Sequence, residues 1–305
     1  MRAVWASAFL LRRIRAELGV ATIIFVLVGA TAFLFAAAPR LFNAAADCGL
    51  RSELAGGQAR DRNVQLSLIS DLPDRDPVAH AQGVADQLLE AFPASLRSLI
   101  DGRSLVITSI RFAIEDAPRY STSYLSFRYQ DGLTDAIQLV EGRMPESTGE
   151  AFPPAVFGFP GQGEPPDTVP HLEVALSDRS AEELGVKLGD VLTVDASSQD
   201  PLLTRFRALA QPLRATVEVV GIFTITRPDA DAFFNDTSLH FLSFASLNPD
   251  NPIALATALV APTAMPELVA SGLPFRYDGR FLVNPQRLDT SGLDALLADL
   301  ERMNA

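Results

Sequence analysis

The chain has 305 residues, carries a formal net charge of −12, is 48% hydrophobic and holds a single cysteine, Cys48. That length accommodates one large domain or two smaller ones, and the hydrophobic content excludes a disordered chain. The acidic balance excludes nucleic acid as a partner, since affinity for it rests on neutralising phosphates, and one cysteine excludes an intrachain disulfide.

Charge is unevenly spread along the chain. Residues 1–18 carry Arg2, Arg12, Arg13 and Arg15 against Glu17, whereas the body is acidic. Residues 19–38 contain no charged residue. As a helix rising about 1.5 Å per residue, this segment spans about 30 Å, the thickness of bilayer hydrocarbon. The arginines ahead of it predict a cytoplasmic N-terminus and a body outside the membrane. Trp5 and Phe9 suit the inner interface or an amphipathic helix lying along it. The competing reading is a cleaved signal peptide with Ala44-Ala45-Ala46 at the cleavage site. The apolar run is longer than the usual signal core of about 7–15 residues, which favours an uncleaved anchor. Lipid attachment at Cys48 is disfavoured because Asp47, not a small residue, precedes it.

Residues 39–60 continue in helix-forming residues. Leu41, Ala45, Cys48 and Leu54 recur at near-helical spacing and predict a stalk that ends around Gly56-Gly57. The extracytoplasmic domain is expected over 61–305. Asn63–Ser70 alternates as a strand. Asp76–Asp101 has a helical apolar face broken at Pro93. Ser104–Glu115 and Tyr120–Tyr129 are strands, so this part reads as a local α/β unit. Asp135–Val140 is a strand stopped by Gly142-Arg143-Met144-Pro145, and 152–170 is a Pro- and Gly-rich loop.

Leu172–Leu176 leads into a short helix, Asp178–Leu184, with Ser177 as N-cap and Gly185 in the left-handed C-terminal position. Gly189-Asp190 turns into the strand Val191–Val194. Ala215–Thr226, Thr257–Val260 and Phe275–Val283 are later strands. Asp289–Met303 closes the chain as an amphipathic helix with Leu293, Leu296, Leu297 and Leu300 on its apolar stripe. The predicted class is α+β.

The ordered set of an arginine-flanked anchor and stalk, Gly142-Arg143-Met144-Pro145, the run Leu184-Gly185-Val186-Lys187-Leu188-Gly189-Asp190-Val191, and the strand Val217-Glu218-Val219-Val220-Gly221-Ile222-Phe223 resembles the extracytoplasmic core domain of FtsX-like ABC transporter permeases, the MacB-type periplasmic core domain. The resemblance covers nearly the whole chain. It implies two subdomains, with β-α-β halves from 61–135 and 250–305 and an inserted, mostly-β subdomain over 136–249. It implies a cytoplasmic ABC ATPase subunit as partner, contact with the lipid bilayer, a second permease copy, and no cofactor. It assigns Gly142, Arg143, Pro145, Gly185, Gly189, Asp190 and Gly221 to the structural motif. Because no second apolar stretch reaches spanning length, the chain reads as a fragment or a truncated relative. A single-pass sensor or scaffold is the alternative.

Catalytic patterns are absent from the sequence. His80, His171 and His240 are far apart and lack metal-ligand spacing. There is neither a G-x-S-x-G elbow nor a Walker A sequence. Asp71, Asp74 and Asp76, and again Asp229, Asp231 and Asp236, form acidic clusters read as solvated loops, with weak calcium binding as the alternative. Phe233-Phe234 in the second loop is a candidate partner contact if exposed, the alternative being burial in the core.

Overall fold

The computed structural model describes residues 2–70, 76–157, 168–196, 209, 211, 213–245 and 252–303, with side chains from residue 22 onward. The fold is mixed α+β, with a large sheet and one long apolar N-terminal helix. The chain forms two compact units, Gly57–Asn284, and Met1–Gly56 together with Pro285–Ala305.

In the second of these units, α1 (Arg2–Gly56) is one uninterrupted helix with Pro39 inside it. Its segment from Thr22 contains an 18-residue window of mean hydropathy 2.2, with none of that window buried. Phe25, Phe33 and Phe35 are at least 71% exposed, the pattern of a helix meant for an apolar medium. Such a helix is compatible with a single-pass anchor or a signal sequence. The side chains of Trp5 and Phe9 lie outside the described residues. Toward its C-terminal end α1 is tied to the chain's closing segment. The Asp47 carboxylate accepts from the backbone N–H and the hydroxyl of Thr290 (2.7 and 2.6 Å), and Arg51 Nε donates to the Leu288 carbonyl (2.8 Å). Those bonds to Thr290 hold the Asp47 pKa below the usual carboxylate value.

The larger unit is built on a ten-stranded sheet. After the short α2 (Ala59–Arg62) come β1 (Val64–Ser70), α3 (Pro77–Ala91), α4 (Ala94–Arg97), β2 (Ile100–Ile114), β3 (Ser123–Gln130) and β4 (Ile137–Gly142). They are followed by β5 (His171–Ser177), α5 (Asp178–Leu184), β6 (Val191–Ala196), β7 (Arg214–Ile225), β8 (Ser243–Ala245), β9 (Ile253–Leu259), α6 (Met265–Val269) and β10 (Phe275–Val283). The smaller unit ends with α7 (Leu293–Met303). The strand order is β1-β10-β2-β3-β9-β5-β7-β4, with β6 bridging β2 and β7 and β8 flanking β9.

β10 runs antiparallel to both β1 and β2, so β1 and β2 are parallel. The helix α3 connects them as a crossover, and β10, the last of the described strands, is threaded between them. α3 starts where Asp76 accepts from the Ala79 N–H (3.0 Å) with Pro77 in its first turn, and it stops ahead of Pro93. Its buried Ala81 and Ala85 allow close approach to the sheet. Phe92 meets Phe281 edge-on at 4.9 Å.

β2 is fifteen residues long. A register shift between Thr108 and Arg111 bends it, so that its last residues pair with β6 rather than continuing along the open sheet. The strands β2, β3, β9, β5, β7 and β6 thereby form a closed hydrogen-bonded ring. Its narrowest link is the one pair Ala175–Leu259 between β5 and β9. Phe112, Leu125, Phe127, Val174, Val194 and Val217, each at most 1% exposed, belong to one apolar cluster.

Differences from the sequence reading lie at element bounds and at short elements: β2 begins at Ile100, where the helical stretch was expected to run on to Asp101. β9 begins at Ile253, four residues earlier than predicted, and β8 and α6 have too few residues to show a period. α7 begins at Leu293, four residues later than expected, and none of its residues is buried, Leu297 of its apolar stripe being 50% exposed.

Around α5 the local chemistry is as the sequence predicts. Ser177 accepts from the Ser180 N–H (3.1 Å) and donates to the His240 carbonyl (2.8 Å). Gly185 closes the helix at φ 77°. A methyl there would also crowd the Arg119 side chain. Gly185→Ala should therefore destabilise the domain by about 1 kcal/mol in chemical denaturation; an unchanged midpoint would contradict the conformational requirement.

Candidate functional site

The three motif segments beyond the anchor converge on β7. Gly142, at φ 73°, pairs with Gly221, and the Arg143 N–H donates to the Val220 carbonyl (2.9 Å). A register shift against β5 leaves Val220 as a bulge on β7, and one against β4 leaves Val140 as a bulge on β4, so the pairing is irregular on both sides of this stretch. A Cβ on Gly142 would fall on the Val220 carbonyl, and one on Gly221 would fall on the Arg143 carbonyl. From the other direction, the Gly189 N–H donates to the Val219 carbonyl (2.8 Å), and the Val219 N–H donates to the Asp190 carbonyl (3.0 Å). The Asp190 carboxylate accepts from the Lys187 N–H (2.7 Å), tightening the turn.

Arg143 forks onto Glu173, with one arm at 2.6 Å, and Glu173 also accepts from the Glu146 N–H (3.0 Å). The hydrogen bond from Arg143 holds the Glu173 pKa below the usual carboxylate value. Pro145 is buried beside this knot. Met144 and Pro145 line an open apolar cleft of about 410 Å³ together with Leu139, Leu259, Val260 and Pro262.

A second cleft has a different chemistry. Along β10, Arg276, Asp278 and Arg280 alternate with Phe275, Tyr277 and Phe281, so the charged residues share one face and the aromatic residues the other. Thr108 of β2 lies between Arg276 of β10 and Arg128 of β3 in the register. On that polar face Arg280 and Arg128 are 1% and 2% exposed. Burying a guanidinium requires a partner, and the segment after β7 supplies it. Asp236 accepts from Arg128 Nη1 (2.7 Å) and lies 3.5 Å from Arg280 Nη2. The Ala232 carbonyl accepts from Arg280 Nη1 (2.6 Å) and Gln130 Nε2 (2.7 Å). Ser238 accepts from Arg128 Nη1 (3.0 Å), and its N–H donates to Asp236 (3.0 Å).

To present these groups, Phe234 and Asn235 both take positive φ, 55° and 57°, a strained choice for a phenylalanine. Phe233 and Phe234 are 2% and 7% exposed, and Arg280 stacks 5.3 Å from the Phe234 ring. Of the two readings of this pair, burial holds and the exposed partner contact does not: both rings belong to the packing that seats the arginines.

The second acidic cluster is likewise not a solvated loop throughout. Asp231 pairs with Arg62, and Asp236 is held by the buried arginines. In the first cluster, Asp76 caps α3, while Asp71 and Asp74 lie outside the described residues. Among the described residues no group of three His, Cys, Asp or Glu side chains is arranged to hold a metal ion.

Burial alone would raise the Asp236 pKa, but the Arg128 charge and the Ser238 hydrogen bonds outweigh it and hold it far below the usual carboxylate range. Burial, reinforced by the neighbouring Arg128, pulls Arg280 down to about 10. This face opens into a cleft of about 470 Å³ whose wall includes Arg111, Arg128, Arg276, Thr108, Ser126 and Thr257. Arg128 Nε and Nη2 find no hydrogen-bond partner among the described residues. Sequence reading missed this site, although the spacing Arg276-x-Asp278-x-Arg280 inside an aromatic strand is a legible signal of a polar inner face.

No protein-family model matches the chain, and no curated protein matches it.

Two outcomes test the geometry. Gly221→Ala should destabilise the domain far more than Gly185→Ala, by about 3 kcal/mol, because the new methyl meets backbone rather than a flexible side chain. Asp236→Asn should cost about 3 kcal/mol at neutral pH by leaving two buried guanidiniums poorly matched. A carboxylate with a depressed folded-state pKa stabilises fully above its unfolded value of about 4 and loses that contribution as pH falls further. The gap between wild type and Asp236→Asn should therefore narrow on acidification below about pH 4, as read from urea denaturation at stepped pH.

Proposed function

We propose that the chain is the first transmembrane helix, stalk and extracytoplasmic domain of an FtsX-like ABC transporter permease. In this role it performs no catalysis. It links a cytoplasmic ATPase subunit to substrate export or partner activation outside the membrane, with its N-terminus cytoplasmic and a second permease copy as a further partner. The division into β-α-β halves around an inserted, mostly-β subdomain belongs to the same proposal.

The observation that supports it most is the unbroken course of α1 from Arg2 to Gly56. A proline in a helix interior removes one backbone hydrogen bond and costs about 3 kcal/mol, yet Pro39 does not end this helix. A continuous helix carries displacement along its axis, whereas a Gly/Ser linker dissipates it. The bonds from Asp47 and Arg51 to the 288–290 segment add to this reading, because they tie two distant parts of the chain into one element. The arginine-lined cleft favours a second reading, a single-pass sensor, since a cleft of that volume is of ligand-binding size.

A reporter fused after Arg60 should be active only outside the membrane; cytoplasmic activity would refute the topology. Inserting a flexible glycine-serine stretch after Arg40, with the ATPase present, should leave folding and insertion intact while sharply reducing transport or partner activation. Undiminished activity would make α1 a tether and favour the sensor.

A further inference from the structure

Among the described residues, the arginine-lined cleft brings together more guanidiniums than carboxylates to match them. Among these same described residues, the network sets three guanidiniums, those of buried Arg128 and Arg280 and of exposed Arg276, against the two carboxylates of Asp236 and Asp278. Arg276 is engaged by Asp278 through Nε and Nη2, at 2.9–3.1 Å. Asp278 is further bound by Gln65 and Ser67. Arg128 and Arg280 share Asp236, so one of these two positive charges lacks a carboxylate of its own.

Arg128 is the more exposed to this deficit in chemical terms. It is 2% exposed, uses only Nη1 on Asp236 and Ser238, and leaves Nε and Nη2 without a hydrogen-bond partner among the described residues while forming part of the cleft wall. A buried guanidinium edge left unbonded is costly, and an oxyanion placed against it restores both the charge and the hydrogen bonds.

We propose that this cleft is a binding site for a phosphate-bearing ligand. Its donors come from several directions: Arg128 and Ser126 from β3, Thr108 and Arg111 from β2, and Thr257 from β9. A tetrahedral oxyanion presents acceptors along several directions at once, whereas a planar carboxylate presents two oxygens in one plane. Asp236 is on the same wall, but its charge is directed into Arg128 and Arg280 and its second oxygen accepts from the Ser238 N–H. The volume of about 470 Å³ exceeds that of a lone phosphate, and Ile69, Leu255 and Ala256 give the remaining wall an apolar portion. The ligand is accordingly a phosphomonoester with a small organic body, supplied either as a soluble molecule or as a lipid headgroup. The site does not rest on the permease reading, because no membrane or stalk residue contributes to it.

The test uses the full chain in an uncharged, phosphate-free detergent at constant ionic strength. Titration with inorganic phosphate and with glycerol 3-phosphate should each give saturable calorimetric binding and a rise in melting temperature, since a ligand that binds only the folded state stabilises it. Chloride and acetate at matched ionic strength should give neither. A second arm reconstitutes the chain with phosphatidic acid. If the headgroup is the source, the lipid alone raises the melting temperature and added glycerol 3-phosphate has no further effect; if the source is soluble, glycerol 3-phosphate still binds. Arg128→Met should weaken phosphate binding about tenfold or more, as expected for one charge-assisted contact. Should that variant not fold, Arg111→Gln supplies the same readout from the cleft wall. Absence of saturable phosphate binding, equal binding of acetate, or undiminished binding in a folded Arg128→Met or in Arg111→Gln would overturn the proposal.

Discussion

The carboxylate of Asp236, set between the guanidiniums of Arg128 and Arg280, is the interaction on which the polar half of the sheet depends. Two arginines almost without solvent contact cannot stay charged on a sheet face without a counter-ion. The counter-ion comes not from a neighbouring strand but from a loop that must bend through two consecutive positive φ values to deliver it. That loop also brings Phe233 and Phe234 down onto the network, excluding water and strengthening the same charges. The loop's shape, the sheet's polar face and the adjoining cleft are thus consequences of one requirement.

The opposite end of the sheet is governed by steric exclusion instead of charge. At Val219–Gly221, β7 receives β4 on one side and β5 on the other, while the turn at Gly189-Asp190 closes over it. Only glycine fits at 142 and 221, because the approaching carbonyls occupy the space a side chain would need. This knot holds one side of the six-strand ring, and the bend in β2 holds the other. Together they let one continuous sheet serve both as an open layer and as a closed ring.

Much of this was legible in the sequence wherever the signal is local. Ser177 and Gly185 mark the ends of α5 because capping chemistry involves neighbouring residues. The bounds of β10 follow from its aromatic alternation, and the apolar N-terminal helix follows from its lack of charge. Gly142 and Gly221 could each be read as special, but not that they meet, since their pairing spans the intervening helix and strands. The same holds for Asp236. As part of Asp229-x-Asp231 and its surroundings it reads as surface, and only the fold shows that Arg128 and Arg280 wait beneath it. Phe233 and Phe234 were ambiguous for the same reason: an aromatic pair in an acidic loop looks alike whether its partner lies within the chain or outside it.

The threading of β10 between β1 and β2 has a consequence for how the chain comes to be folded. Among the described residues β1 pairs with β10 alone, and their pairing joins Val64 to Phe281. During synthesis the first strand therefore leaves the ribosome more than two hundred residues ahead of the strand that completes it. The crossover helix can form early, but the layer it packs against stays split until the last strand enters. Contacts this distant in sequence close slowly, because the loop entropy must be overcome before any pairing rewards it. Throughout that interval an unpaired strand edge is open to other chains, so the nascent protein depends on protection until its final strand arrives.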